Sequence, residues 1–414
     1  MNAPKPSLEV ILLALTAEFF CRTERHRALL HRAGALADRF AETAAGFDRD
    51  GAFPFPHFEA LRTSGYFALT VPTAYGGEGG GVFETVLSQE RLARGDGSTA
   101  LAAGWHLYII GKQAASLTWP ERLRERLFRE AVTDGALINA AASEPATGSP
   151  SRGGLPTTRA RRMGDGRWVL TGRKNFTTLS PVLRYFLVSA TIEGTEEAAW
   201  FLVERGMKGV AIEETWDSLG MRATGSHDLV LSEVELGADG YVESAAKRSG
   251  ARTEGWNLHI PAVYLGIAQA ARDFAIRYAL ERKTNTVKTA IADLDHVQRL
   301  IGEIDLALLP ARTLLMTLAE RWDAEPERRA ELALPAGACK LFVVETALKV
   351  VDRAMRIGGG ASLSRQLPLE RYYRDVRAGL HNPPMEDVLL PQLARAALSI
   401  ARQGTAEVPT APGP

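Results

Sequence analysis

The sequence predicts an α+β fold made of an N-terminal helical domain, a middle β-sandwich or barrel domain and a C-terminal four-helix bundle. Apolar residues recur at three- and four-residue spacing up to about residue 138, short β-rich runs follow, and helical spacing returns from about residue 254. With 414 residues, 46% of them hydrophobic, the chain is long enough for several domains with substantial cores. We therefore place the domains at 1–138, 139–253 and 254–406, followed by a disordered tail at 407–414.

Each predicted element follows from its local pattern. In the first domain, ERHRALLHRAGALADRFAETAAGF (24–47) and FPHFEALRTSGYFALT (55–70) carry apolar residues at helical spacing. The β-rich runs of the middle domain, separated by turn residues, are WVLTG (168–172), RYFLVSATI (184–192), AAWFLVER (198–205), GVAIEET (209–215) and HDLVLSEVEL (227–236). The long helical segments that predict the bundle are 259–283, 293–322, 336–358 and 387–401.

The charge balance and the cysteine content exclude several classes of partner. Lysine plus arginine equals aspartate plus glutamate at 49 each, so no global field favours a nucleic acid or a membrane surface. The two cysteines, Cys21 and Cys339, lie far apart and lack metal-ligand spacing. We therefore expect a cytoplasmic protein with inert thiols, without a metal centre and without nucleic-acid or membrane partners.

Two stretches of the middle domain indicate a ligand site. ASEPATGSPSRGG (142–154) is a turn of small residues, and WVLTGRKNFTTL (168–179) is a strand followed by an aromatic residue and hydroxyls. Small residues let backbone amides approach the polar edge of a ligand, hydroxyls hydrogen-bond to it, and an aromatic ring covers one face. The alternative is that the Gly/Ser/Pro stretch is only a loop.

Together with later stretches in the same order, these motifs resemble the acyl-CoA dehydrogenase family of flavoproteins over nearly the whole chain. In that family a T-E-P-G-A-G-S-like turn and a G-x-K-x-W-I-T-like strand enclose the flavin ring. The resemblance implies that this chain binds FAD, with FMN as the alternative, through Ala142, Ser143, Gly148, Ser149, Phe176 and Thr178. It also implies a substrate contact for Ser149. Phe176 replaces the usual tryptophan, which keeps stacking area but loses the indole donor.

The stretch WDSLGMRATGSHDLVLSEVEL (216–236) resembles the family segment that ends the β domain near the substrate cleft. Arg222, Thr224 and Ser226 match it in residue type, and the resemblance implies that Arg222 contacts the substrate. The alternative is a polar connection between strands, in which Arg222 pairs with a neighbouring acid.

Two further matches in the helical bundle imply a homo-oligomer, either a dimer or a dimer of dimers. Arg282, in ERKT (281–284), matches a helix-end arginine that reaches the phosphates of the flavin dinucleotide across a subunit interface. Gly359 and Gly360 match a glycine pair beside the adenosine half of the neighbouring subunit's FAD, and Arg356 replaces the usual glutamine there. The alternative is local, because basic residues and glycines are also common at helix ends.

The segment RYYRDVRAGLHNPPMED (371–387) departs from the family at the catalytic base. Acyl-CoA dehydrogenases commonly place a glutamate nine residues after the arginine of an Arg-Asp pair, or else on the first helix of the C-terminal bundle. Those positions here hold Pro383 and Trp256, and the adjacent Asn257, an implied substrate contact, replaces a frequent arginine. A base must come within hydrogen-bond reach of the proton. The predicted base is therefore Glu386, swung inward by the proline turn, with Asp387 and Glu254 as weaker candidates.

The same loop has a second resemblance, to flavin-dependent monooxygenases of this fold such as the dibenzothiophene-type sulfur oxygenases. Those enzymes carry a His-Asp-Pro loop here and a histidine on an N-terminal helix, which His381 and His106 match. In them, reduced flavin from a partner reductase reacts with O₂, and histidine manages protons because its unperturbed pKa of about 6.5 lies near working pH. The structural alternatives are a histidine capped inside an apolar helix for His106 and a loop-rigidifying side chain for His381.

From these observations we predict a FAD-dependent oxidoreductase that performs α,β-dehydrogenation of an acyl-CoA thioester and passes electrons to a separate acceptor. The Leu-His-Asn-Pro-Pro loop resembles a bacterial branch of the same family. Two alternatives stay open. One is a two-component monooxygenase supplied by a flavin reductase, and the other is a family member without its base that only binds flavin or thioester.

Overall fold

The computed structural model describes residues 16–147, 154–246, 254–283, 285 and 289–406, with the backbone alone described for 403–406. The tail predicted at 407–414 lies outside these residues. Within the described ranges, none of the helices combines the length and the apolar character that crossing a membrane requires.

The N-terminal domain is helical, as predicted. Its helices are α1 (Glu24–Ala41), α2 (Ala44–Asp50), α3 (Phe55–Thr63), α4 (Val82–Ala93), α5 (Gly97–Ser116) and α6 (Glu121–Thr133). N-cap side chains begin two of them: the Thr23 hydroxyl accepts from the amide of His26, and the Asp96 carboxylate accepts from the amides of Ser98 and Thr99. Helix α5 is buried along most of its length, which makes it the central element of this domain.

The middle domain is a mixed sheet with strands β1 (Leu137–Ala141), β2 (Arg159–Arg162), β3 (Trp168–Lys174), β4 (Leu183–Ile192), β5 (Ala198–Glu204), β6 (Val210–Glu213), β7 (Asp228–Leu236) and β8 (Tyr241–Ser244). Their order is β6-β7-β3-β2-β4-β5-β8, and β1 pairs with β4 in parallel. Strand β4 lies between β2 and β5 and is buried along nearly its full length, so both faces of the sheet are covered there.

The C-terminal domain is a bundle of the helices α7 (His259–Glu281), α8 (Asp295–Ala324), α9 (Arg329–Gly358), α10 (Leu369–Val376) and α11 (Glu386–Ala406). Helix α7 is buried from His259 to Ala271 and packs against α9 in the bundle and against α4 and α5 of the first domain. A Cβ atom at Gly266 would lie 2.3 Å from the Glu90 carbonyl oxygen, so glycine is needed for the close crossing of α7 and α4.

A set of ion pairs and hydrogen bonds holds the three domains against one another. The Arg374 guanidinium donates to both carboxylate oxygens of Asp48, at 3.0 and 2.6 Å, and to the carbonyl oxygen of Leu219. The next residue, Asp375, accepts from the Met221 amide at 2.6 Å. Helix α10 is therefore fixed at the junction of all three domains, which positions the loop that follows it.

Candidate functional site

Three of the motif stretches meet at one end of the β domain. The Asn175 amide donates to the Ser143 carbonyl at 3.0 Å, and the Thr177 amide donates to the His227 carbonyl at 3.2 Å. The Leu179 amide donates to the Thr224 carbonyl at 3.1 Å. Segments distant in sequence are thus joined through their backbones into one cluster of loops.

Phe176 has an unusual backbone and an exposed ring within this cluster. Its φ angle is +51°, in the left-handed region that bulky residues rarely adopt, and Leu179 nearby has a φ of +72°. The Phe176 side chain is 59% exposed and meets Trp216 edge-on at a centroid distance of 5.7 Å. Strained backbones of this kind concentrate at ligand sites, and here the strain presents an aromatic face outward.

Hydroxyl and side-chain amide groups belong to the same cluster of loops as Phe176. The Thr178 and Ser226 hydroxyls are 2.8 Å apart, and the Asn139 side chain donates to the Thr178 carbonyl at 2.9 Å. Thr177 Oγ1 and Asn175 Oδ1 are buried and lack a hydrogen-bond partner in the part of the chain that the structure describes. Because buried polar atoms are nearly always paired, these two atoms suit a ligand with polar edges.

A buried ion pair that the sequence motifs did not single out joins the turn after β1 to the end of β3. Glu144 Oε1 accepts from Lys174 Nζ at 2.6 Å, and both side chains are almost fully buried. The Glu144 carboxylate also accepts from the amides of Thr157 and Thr158. Burial raises the pKa of Glu144, but these hydrogen bonds outweigh it and hold that pKa well below its usual range.

Burial also lowers the pKa of Lys174 to about 8, against the opposing effect of Glu144, so both groups are ionised at neutral pH. The sequence did contain a signal for this pair, since opposite charges occur in two stretches that were expected to meet. Of the other predicted residues in the turn 142–154, one is described by the structure and two are not. The Ala142 carbonyl accepts from Ser189 at 3.4 Å, whereas Gly148 and Ser149 lie outside the described residues.

The first turns of the C-terminal domain hold Trp256, where the resemblance predicts the second base position of the family. Trp256 is buried, and a Cβ atom on Gly111 of α5 would lie 2.2 Å from its ring, so the indole packs directly against α5. Asn257 follows it, half-buried, in the short 3₁₀ turn Glu254–Leu258 that leads into α7.

The loop after α10 is held against the bundle by two hydrogen bonds. Tyr264 of α7, which is fully buried, donates from its hydroxyl to Asn382 Oδ1, and Lys340 Nζ of α9 donates to the Pro384 carbonyl at 3.1 Å. Burial lowers the pKa of Lys340 to about 8. Sequence reasoning missed these two anchors, because only packing brings α7 and α9 beneath the loop.

The candidate catalytic residues of this loop lie on its outer side. His381 is exposed, and its amide donates to the Ala378 carbonyl at 3.0 Å. Glu386 and Asp387 are exposed in the first turn of α11, while Pro383 is half-buried. The loop is therefore anchored at Asn382 and Pro384, and His381 precedes the first anchor.

His106 occupies a different environment, inside the core between α5 and the sheet. Its Nε2 atom is 3.2 Å from the Phe67 carbonyl, and its Nδ1 atom accepts from the Ile138 amide at 3.3 Å. Burial lowers its pKa to about 4. These contacts engage both ring nitrogens, as the structural alternative for His106 requires.

The structure gives Arg222 contacts at the domain junction. Its Nε donates to the Asp48 carbonyl at 2.8 Å, and its Nη1 donates to the Ser218 carbonyl at 2.9 Å and approaches Asp217 at 3.4 Å. These contacts match the structural alternative for Arg222, a polar connection between strands in which it pairs with a neighbouring acid.

The residues implied in an intersubunit contact lie on the surface of the bundle. The Arg282 side chain is exposed at the end of α7, and Arg356 pairs with Asp352 on its own helix at 2.9 Å. Gly359, with φ +57° and ψ −148°, and Gly360 are exposed where α9 ends. These positions are available to a second copy of the chain. Among the described residues, there is also no cluster of His, Cys, Asp and Glu suited to a metal ion.

Comparisons with known proteins match the whole architecture. The family models for the N-terminal, middle and C-terminal domains of acyl-CoA dehydrogenase match residues 23–130, 139–234 and 257–381. The "Putative acyl-CoA dehydrogenase YdbM" of Bacillus subtilis (strain 168) is 49% identical over 91% of this chain and 98% of its own length. The amino sugar nitrososynthase RubN8 of Streptomyces rubradiris is 31% identical over 84% of this chain and 83% of its own.

Solved structures give the same result for the fold. KijD3 in complex with dTDP superposes with a TM-score of 0.81 at 30% identity, over 93% of this chain and 99% of KijD3. Butyryl-CoA dehydrogenase from Megasphaera elsdenii has a TM-score of 0.82 at 22% identity, over 91% of this chain and 99% of that enzyme. The ordered motifs, the three domains and these matches together establish that the chain belongs to the acyl-CoA dehydrogenase family.

Proposed function

We propose that this chain is a flavin-dependent oxidoreductase that binds the isoalloxazine at the loops around Phe176. The exposed ring of Phe176 offers a stacking face. The polar atoms Asn175 Oδ1 and Thr177 Oγ1, which find no partner among the described residues, suit the polar edge of the ring system. The Glu144–Lys174 pair holds the two loops in register behind that face. A solved structure of KijD3, a relative 30% identical to this chain, contains FMN, which supports the same class of cofactor.

Within this class we propose FAD, with FMN as the alternative. Arg282 and the pair Gly359 and Gly360 lie exposed on the bundle, where they would contact the dinucleotide of a neighbouring subunit in a homodimer or dimer of dimers. Cofactor released by heat from the purified protein and identified by mass spectrometry distinguishes the two. Light scattering gives the oligomeric state, and a monomer would contradict the shared site.

For the reaction, we propose monooxygenation of a small substrate in preference to dehydrogenation. The observation that carries this choice is the loss of both base positions, since Pro383 and the buried Trp256 have no group that can remove an α-proton. Two relatives at 30–31% identity, RubN8 and the L-evernosamine nitrososynthase of Micromonospora, are named for forming nitroso groups, which requires the addition of oxygen to nitrogen.

When bound at these loops, a flavin reduced by a partner reductase would supply the electrons for the reaction with O₂. The chain itself contributes proton control and orientation. His381 is exposed on an anchored loop, and an imidazole can donate or accept a proton, so we assign it the delivery or removal of the proton that accompanies oxygen transfer. Tyr264 and Lys340 keep that loop in place through Asn382 and Pro384.

The second candidate is α,β-dehydrogenation of an acyl-CoA thioester with electrons passed to a separate acceptor. It is favoured by the 49% identity to YdbM, whose name assigns it to the acyl-CoA dehydrogenases. In this case Glu386, in the first turn of α11, would accept the α-proton of the substrate. If neither reaction occurs although flavin is bound, the third candidate, a member of the family without its base, is the correct one.

The deciding experiment compares two assays of the flavin-loaded protein. With NADH, a flavin reductase, isotope-labelled O₂ and amine substrates, monooxygenation predicts labelled product, and His381→Asn should lower its rate by about 10²-fold or more. With butyryl-CoA or palmitoyl-CoA under anaerobic conditions, dehydrogenation predicts bleaching of the flavin and its loss in Glu386→Gln. Bleaching by acyl-CoA together with the absence of labelled product would refute our proposal.

A further inference from the structure

Asp375, in the last turn of α10, is a buried acid without an ion-pair partner. The residue is 2% exposed, and its carboxyl group accepts from the Met221 amide of the β domain at 2.6 Å. Within the described ranges, none of the lysine, arginine or histidine side chains forms an ion pair with it. A carboxylate that is buried with one amide and no cation is costly, whereas the protonated acid is not, so these contacts favour the neutral form.

Two other buried acids at the same three-domain junction differ from Asp375, because each of them has a cation of its own. Asp48 pairs with Arg374 at 2.6 Å, and Asp96 pairs with Arg371 at 3.6 Å. When these two acids are ionised, their charges oppose a third negative charge on Asp375. Of the three acids, Asp375 is therefore the one that holds a proton.

The surroundings of Asp375 agree with this assignment. Burial is the largest effect and raises the pKa of this acid to about 7, with Arg371 and the Met221 amide acting against the increase and the other two acids adding to it. Titratable groups from four elements face the carboxyl group: Arg371 and Tyr372 of α10, Asp48 of α2, Asp96 at the start of α5, and Tyr264 of α7. Burial raises the pKa of both tyrosines, so both phenols are neutral near pH 7.

Helix α10 docks on the β domain beside this acid and leads directly into the loop 377–385. A Cβ atom at Gly220 would lie 2.3 Å from the Arg374 carbonyl oxygen, so two backbones meet at this point. The next residue, Met221, donates its amide to Asp375. Helix α10 therefore cannot leave the β domain without breaking that hydrogen bond, and the turn that leads to His381 begins where α10 ends.

We propose that Asp375 is a proton-linked latch between α10 and the β domain, which stays neutral while α10 is docked and gives its proton to the solvent when α10 lifts away. The loop 377–385 is then free to shift, so the pH sets how often the His381 loop is displaced. This latch requires neither flavin nor substrate, and it stands independently of the proposed function.

The sign of the pH dependence follows from proton linkage. The docked form binds the proton more tightly than the open form, in which the carboxyl pKa returns to about 3.9. Opening therefore becomes easier as the pH rises from about 4 to about 7. Above that range both forms are ionised, and opening no longer depends on this group.

Hydrogen–deuterium exchange of the purified full-length protein measures this opening, on peptides that contain the Met221 and His381 amides. After correction for intrinsic exchange rates, the opening equilibrium should rise about five- to ten-fold from pH 5 to pH 6, and by less than about two-fold from pH 7.5 to pH 8.5. Asp375→Asn keeps an acceptor for the Met221 amide and carries no charge, so its opening equilibrium should be the same at all four pH values. The matched control Asp217→Asn, which removes an exposed acid shortly before Met221, should keep the wild-type profile.

Each other outcome counts against the latch. A wild-type profile that is flat from pH 5 to pH 6, or an Asp375→Asn protein that keeps the wild-type profile, would overturn it. Failure of Asp375→Asn to fold would also overturn it, since a neutral isostere should replace a neutral acid without loss of stability. A His381 peptide whose exchange does not follow that of the Met221 peptide would overturn the control of the loop.

Discussion

Replacing Glu144 by glutamine tests the idea that a buried ion pair holds together the two loops at which we propose that flavin binds. The substitution keeps the volume but removes the carboxylate from the Lys174 ammonium, which is fully buried and also donates to Ser189 Oγ at 3.1 Å. Breaking such a pair by removing one partner costs about 3–5 kcal/mol. The variant can avoid an unpaired buried charge if Lys174 loses its proton. From an unfolded pKa of about 10.4, that deprotonation costs about 4.6 kcal/mol at pH 7 and about 1.9 kcal/mol at pH 9.

These figures set the size of the expected effect. With an unfolding entropy of about 2.1 cal/mol/K per residue over 414 residues, 3–5 kcal/mol lowers the melting temperature by about 3–6 °C if the whole chain unfolds together. The drop should be larger at pH 7 than at pH 9, because deprotonation of Lys174 becomes easier as the pH rises. Differential scanning calorimetry of the apo and flavin-loaded forms at both pH values measures it.

The matched control is Glu235→Gln, which removes one side of an exposed ion pair with Arg167 in the same sheet. Exposed ion pairs contribute about 0–1 kcal/mol to the free energy of unfolding, so this variant should shift the melting temperature by about 1 °C or less. A Glu144→Gln protein that melts like the control, or whose loss of stability is the same at both pH values, would refute the assigned role of the pair.

Three further predictions concern the cofactor face, a helix end and a buried acid. Phe176→Ala should weaken flavin binding about ten-fold in a fluorescence titration of the apo protein, because the stacking face is lost, whereas Phe19→Ala, an exposed phenylalanine outside the loop cluster, should leave it unchanged. Gly359→Ala should destabilise the protein by about 1–3 kcal/mol in urea unfolding because of its backbone angles, and Gly360→Ala by less than about 0.5 kcal/mol. Burial raises the pKa of Asp375 to about 7, above its unfolded value, so its contribution to stability is complete below about pH 4 and is lost as the pH rises through 7. Relative to Asp375→Asn, the wild type should therefore lose about 1–3 kcal/mol of unfolding free energy between pH 5 and pH 7, and equal pH dependence of the two proteins would contradict this.

Much of the architecture could be predicted from local patterns. Helical spacing in 24–47 and 55–70 became helices of the first domain, and the β-rich runs became strands of one mixed sheet. The order of the motifs correctly predicted the family. Amphipathic periodicity is a local property of the chain, which is why it can be read without knowledge of the packing.

The position of individual side chains depended on packing, which no local pattern contains. Three histidines illustrate this dependence on packing. His381 is exposed on a loop, whereas His106 has both ring nitrogens engaged in the core. His259, which no sequence motif singled out, is buried without a partner among the described residues. Tyr264 and Lys340 likewise hydrogen-bond to the loop after α10 only because α7 and α9 pack against that loop.

By itself, the sequence determined the three-domain order and the family, and it predicted Pro383 and Trp256 at the two usual base positions, because these depend on residue identity and spacing along the chain. Tertiary structure alone decided which carboxylate pairs with Lys174, how the Arg374–Asp375 segment joins three domains, and which buried imidazole of the described chain lacks a partner. The physical reason is that burial and hydrogen bonding are set by contacts between segments tens to hundreds of residues apart, and those contacts form only when the domains close on one another.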